Sequence, residues 1–170
     1  PEFLETVVER LQSARVDCVS LDEVYRRLTA QDFSRRFVAI TLDDGYRDNR
    51  DFAYPIFKKH GIPFAVYVPT SFPDRVGELW WDALEQVIAQ NNSIALEMDG
   101  VGCRLDCTSV AEKYRAYNHL YRWLRARESD HEMRNAVREL ARRYGVDLAA
   151  ICGRQCMTWD ELADLARDPL

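Results

Sequence analysis

Histidine is scarce. The 170 residues hold three, His60, His119 and His131, and none opens an HxxH or HxxxH pattern. A local histidine motif for a metal centre is therefore excluded. Basic blocks are also missing and the net charge is −5, which argues against nucleic acid as the main partner. No apolar run approaches membrane-spanning length. No GxxxxGK phosphate loop occurs, so a nucleotide triphosphatase is disfavoured. There is no internal repeat and no low-complexity tract. No secretory leader is visible, although the chain opens at Pro1, without a Met and already inside a helical pattern.

Cysteine is present in an odd number, five. Cys103/Cys107 and Cys152/Cys156 suggest a four-thiolate zinc site, but the spacing argues against it. "CRLDC" reads as a strand, whose four steps separate its ends by ~13 Å, too far for two sulfurs on one ion. Free thiols in a reducing compartment are the better reading, and with no visible leader they favour the cytoplasm.

What is present is globular: 47% hydrophobic and 30% charged residues, in a chain long enough for one domain or a little more. Phe3, Leu4, Val7, Val8 and Leu11 follow helical spacing. Ser20 to Glu23 is a capping box opening a helix through about Thr29. Phe37 to Leu42 is an apolar strand, of the kind usually covered on both faces. Phe52, Ile56 and Phe57 mark a helix with Pro55 in its first turns and Gly61-Pro63 beyond its end. Phe64 to Pro69 is a second buried strand, which completes a βαβ unit.

From Trp80 the character changes to helix, then to a hairpin turning near Asp99-Gly100. A capping box follows at Ser109–Glu112, and two amphipathic helices carry Tyr117, Leu120, Tyr121 and Leu124, then Met133, Val137, Leu140 and Tyr144. A third box, Thr158–Glu161, opens the last helix. The fold expected is α/β. Residues 1–91 form the first part of a (β/α) barrel, 92–155 a mostly helical insertion with a short hairpin, and 156–170 a return to the barrel.

The first strand ends on two adjacent carboxylates, Asp43 and Asp44, before Gly45. Like charges repel and burial is costly without a cation. One reading is chemical: loops at the C-terminal ends of buried strands carry the sites of α/β folds. There one carboxylate binds a divalent cation and the other acts as a base. A bland turn that caps the next helix is the competing reading.

The string "TLDDGYRDN", "AYPIFKKHGIPFAVYVPTSF" and "LWWDALE" resembles the polysaccharide deacetylase family, the NodB-homology domain of carbohydrate esterase family 4. Its first signature, Thr-Phe-Asp-Asp-Gly, stands here as Thr41-Leu42-Asp43-Asp44-Gly45. The segments after "LWWDALE" and "CMTWDELADLARDPL" resemble a bacterial branch. The resemblance implies a distorted, partial (β/α) barrel and a metal-dependent hydrolase that removes N-acetyl groups from carbohydrate. Asp43 matches the catalytic base and Asp44 the aspartate ligand of a divalent metal such as zinc. Gly45 would let the backbone approach metal and substrate without a Cβ. Tyr46 and Asn49 either shape the rim of the sugar site or serve packing and capping.

The departure is the second signature of the family, two histidines of the His-Ser/Thr-x-x-His kind. His60 suits a helix C-terminus as a cation, and His119 and His131 read as surface or helix-packing residues. A fragment cut on both sides is therefore expected, with metal weakly bound or absent and no activity alone. An open half-barrel predicts dimerisation, strand exchange or disorder near Pro1 and Leu170. The alternative is a non-catalytic, deacetylase-like module that binds glycan or protein. Trp80 and Trp81 read as anchors of their helix more than as a sugar platform. Tyr117 and Tyr121 read as packing residues, and Trp123, on another face, as freer for contact.

Overall fold

The order of elements follows where helical and strand patterns alternate. The structure is a computed structural model, described over residues 2–169. Pro1 and Leu170 lie outside the described residues, and with them the events expected at the chain ends. In chain order the elements are α1 (Glu2–Ser13), β1 (Asp17–Cys18), α2 (Leu21–Thr29), β2 (Phe37–Val38), β3 (Ile40–Asp43), α3 (Tyr54–His60) and β4 (Phe64–Tyr67). Then come α4 (Trp80–Gln90), β5 (Ser93–Met98), β6 (Val101–Asp106), α5 (Val110–Arg125), α6 (Asp130–Arg143), α7 (Leu148–Gln155) and α8 (Trp159–Leu165). No helix among the described residues is long and apolar enough to cross a membrane.

By contacts the chain divides into two units, 1–76 with 155–170, and 77–154. In the first, the strand expected over Phe37–Leu42 breaks at Ala39 into β2 and β3. β2 pairs in parallel with β1, Asp17 opposite Phe37. β3 pairs in parallel with β4, Ile40 opposite Phe64 and Asp43 opposite Tyr67. The class is mixed α/β, and no barrel closes among the described residues.

Burial of β3 corrects the expectation of two covered faces. Ile40 and Leu42 are half-buried while Thr41 and Asp43 are exposed. One face meets apolar partners: Ile40, Leu42, Phe64, Leu4 and Cys18 pack against Val8, Ala53, Ile56, Phe57 and Ile62. Phe57 packs against Phe64 in a tilted arrangement with ring centroids 5.0 Å apart. Val8 of α1 belongs to this core, but Phe3, predicted on the same stripe, is 83% exposed. It lies about 100° around the helix from Leu4, at the edge of the inward face.

Helix ends follow their sequence signals with one difference. The boxes at Ser109–Glu112 and Thr158–Glu161 are complete. At Ser20 the hydroxyl accepts from the Glu23 backbone N–H at 3.2 Å, but the Glu23 carboxylate turns to Arg26 and Arg27. Before α3 the backbone opens into a π-turn over Asn49–Ala53, closed by the Tyr54 N–H donating to the Asn49 carbonyl. That wider turn accommodates Pro55, which has no N–H to continue a regular helix. Gly61, at φ 63°, stops α3.

In the second unit α4 buries Trp80, Ala83, Leu84, Val87 and Ile88 and packs on α5 and α6. The expected boundary at residue 92 grouped α4 with the barrel, but its apolar face finds its partners in the helical segment. β5 and β6 form the expected hairpin, turning through Asp99 and Gly100 at φ 54° and 80°. Trp80 is buried, with Tyr121 at 5.1 Å and Trp81 edge-on at 5.7 Å. Trp123 is not the free side chain the spacing suggested. Its Nε1 donates to Asp99 Oδ1 at 3.3 Å, and the Arg127 guanidinium lies 4.6 Å above its ring.

The contrast between Phe57, fully buried, and Phe3 yields a test of this core. Phe57→Ala should lower the unfolding free energy by about 3–5 kcal/mol. Phe3→Ala should change it by less than about 0.5 kcal/mol, both measured by urea denaturation.

Candidate active site

The chain leaves β3 by an abrupt turn. Asp44 and Gly45 are both left-handed, at φ 66° and 62°. Aspartate is one of the few residues besides glycine that visits this region, and the conformation costs on the order of 1 kcal/mol. Glycine is favoured at position 45 for two reasons. Its φ is positive, and a Cβ there would stand 3.3 Å from both methyl carbons of Val68. The side chains beside it are Val68 and Leu162, so the space that glycine leaves is filled by packing.

The C-terminal ends of β3 and β4 converge on one open cavity of about 370 Å³, lined by Asp43, Asp44, Tyr67, Val68 and Pro69. The Asp43 side chain is exposed and Asp44 is half-buried. Burial, and then the charge of Asp43, push the Asp44 carboxyl above its ordinary range. The anion of Asp44 is therefore disfavoured in the folded protein, and a cation beside it would remove that penalty.

Three tethers hold the turn from behind. Asn49 is 8% exposed and its Nδ2 donates to the Asp43 carbonyl at 3.2 Å. Tyr46 is half-buried and bridges antiparallel to Cys156, while the Met157 N–H donates to the Gly45 carbonyl at 2.9 Å. The Arg47 guanidinium forks onto Glu161, Nε at 3.0 Å and Nη2 at 2.9 Å. Arg50 Nη1 reaches the same carboxylate at 2.6 Å. Of the five residues singled out in the sequence, Asp43 and Asp44 face the cavity. Gly45, Tyr46 and Asn49 build the turn beneath them.

Glu161 was legible only as a helix cap, because its pairing with Arg47 spans 114 positions. Tyr67, Val68 and Pro69 carried no local signal at all beyond ending a strand. The Arg47 guanidinium, with help from the Thr158 N–H and Arg50, holds the Glu161 carboxyl down at about 2.

A model of the polysaccharide deacetylase family matches residues 30–152. The chain belongs to the polysaccharide deacetylase family. No curated protein and no solved structure matches it. The family match covers β2, β3 and β4 and therefore the aspartate pair, and it continues through the helical segment into α7. The family is one of carbohydrate deacetylases, hydrolases that act on carbon–nitrogen bonds.

Deacetylases of this family are generally metal-dependent. A catalytic zinc takes three protein ligands and a water. Among the described residues no three His, Cys, Asp or Glu groups converge to hold an ion. His60 is turned to Glu5 at 2.6 Å, His131 to Asn135 at 3.0 Å, and His119 is exposed. The five cysteines are free thiols. The described residues thus do not fit a complete zinc centre, and the chemistry that can be derived is that of the two aspartates.

Two outcomes follow from these carboxylates. Asp44→Asn removes a disfavoured anion and places a residue that tolerates the left-handed region, so the melting temperature should rise slightly. Glu161 has a folded pKa near 2, lowered from 4.5, so its contribution is fully present above about pH 4.5 and is lost as pH falls towards 2. The melting-temperature gap between wild type and Glu161→Gln should be widest above pH 4.5 and narrow steadily below it.

Proposed function

We propose that this chain carries the catalytic pair of a metal-dependent carbohydrate N-deacetylase. The observation that carries the reading is the placement of Asp43 and Asp44 on a left-handed turn at the strand ends, one exposed and one half-buried, lining one cavity. An N-acetylated sugar is the substrate. Asp43, exposed at the cavity, takes a proton from the water that attacks the acetyl carbonyl carbon. The water oxygen bonds to the carbonyl carbon to give a tetrahedral species, the carbon–nitrogen bond of that species then breaks, and the proton taken by Asp43 passes to the departing sugar amine as acetate is released. Asp44 is the ligand we assign to a divalent cation, because it is the carboxylate whose anion the fold penalises.

Acetate release from N-acetylglucosamine oligomers, measured on the natural protein that carries this sequence, tests the assignment. Asp43→Asn should lower kcat by about 10²–10⁴-fold with KM little changed. An unchanged kcat in that variant would remove Asp43 from the reaction. No release by wild type would favour the binding-module alternative.

A further inference from the structure

We infer that Glu161 is a positioning residue for the aspartate pair, acting through Arg47 and Arg50 on the turn that presents Asp43 and Asp44. The inference rests on the reading of that pair as catalytic. Glu161 stands at the third position of α8, where a carboxylate has a local role. Its Oε2 accepts from the Thr158 N–H at 2.7 Å and completes the capping box. A cap needs one oxygen and no cation. Here both oxygens are also engaged by guanidinium groups from a segment more than a hundred residues away in sequence.

The placement of those guanidinium groups gives the carboxylate its second role. Arg47 and Arg50 bracket Asn49, and Asn49 is the side chain that holds the Asp43 carbonyl. On the other side of the turn, the Gly45 carbonyl and Tyr46 are strapped to Met157 and Cys156, a few residues before Glu161. The segment 156–161 therefore grips the turn twice, by backbone at Gly45-Tyr46 and by charge at Arg47 and Arg50. Two consecutive left-handed residues persist only where the surroundings over-determine them. The Arg47 fork is the charge-assisted, geometrically specific part of that restraint.

Three variants separate positioning from capping. Glu161→Gln keeps a residue competent for the capping box but loses the ionic fork. Arg47→Lys keeps the charge but cannot reproduce two parallel donors. Thr158→Ala removes the cap and leaves the fork. In the natural protein, assayed well below each melting temperature, Glu161→Gln and Arg47→Lys should each lower kcat about 10-fold with KM within about two-fold, as expected when reacting groups are displaced without loss of binding. Thr158→Ala should lower the melting temperature and leave kcat unchanged.

Amide hydrogen exchange on the 170-residue chain gives a readout independent of activity. The amides of Gly45 to Asp48 should exchange faster in Glu161→Gln and not in Thr158→Ala. Unchanged kcat and unchanged exchange in Glu161→Gln would overturn the inference. An equal loss of kcat in Thr158→Ala would reduce Glu161 to a cap. If Asp43→Asn abolishes acetate release while Glu161→Gln retains kcat, only the positioning role falls. If Asp43→Asn is without effect, the catalytic reading itself falls, and exchange alone then reports on the tether.

Discussion

Val68 presses against Gly45 at the point where the chain reverses out of β3, and the geometry of the cavity depends on that contact. A side chain at position 45 would meet the valine methyl carbons at 3.3 Å and would be held at a positive φ. Glycine takes this left-handed position without strain while β3 and β4 stay in register to Asp43 and Tyr67. Asp44 takes the strain on the preceding residue. With the turn fixed in this way, the two carboxylates are presented together at the ends of two parallel strands, where α/β folds place chemistry.

The electrostatics follow from the same turn. Asp43 reaches solvent and Asp44 is partly withdrawn from it, next to a like charge. Their environments differ although they are neighbours in sequence, and the proposed division into proton acceptor and cation ligand rests on that asymmetry. Close behind them, Arg47 and Arg50 are matched by the Glu161 carboxylate. Those cations serve the tether, while the charge that acts on Asp44 is the like charge of Asp43.

Local rules made much of the chain legible. The hairpin at Asp99-Gly100, the boxes at Ser109 and Thr158 and the stop at Gly61 are chemistry of two to four residues, and the structure contains them all. The family was legible too, through the string of segments around Asp43-Asp44-Gly45, since Asp-Asp-Gly by itself is also a common turn. Where reading by pattern went astray, the packing and side-chain contacts of the folded chain decided the outcome. Phe3 fits the helical period yet stands in solvent, and Trp123 looked free until Asp99 and Arg127 closed around it. Asn49 was open between rim and cap and is buried under the turn, because its amide answers the Asp43 carbonyl.

The sequence alone determined the class of the fold, the family signature at Asp43-Asp44-Gly45 and the ends of most helices. These depend on periodicity and on side chains bonding their own neighbourhood, both of which are written within a few residues. Tertiary structure decided which face of β3 is covered and that α4 groups with the helical segment. It also decided that Glu161, a cap in the sequence, holds the turn of the aspartate pair across 114 positions. Those outcomes depend on which surfaces meet, and contacts between distant residues leave no mark on the local pattern of either partner.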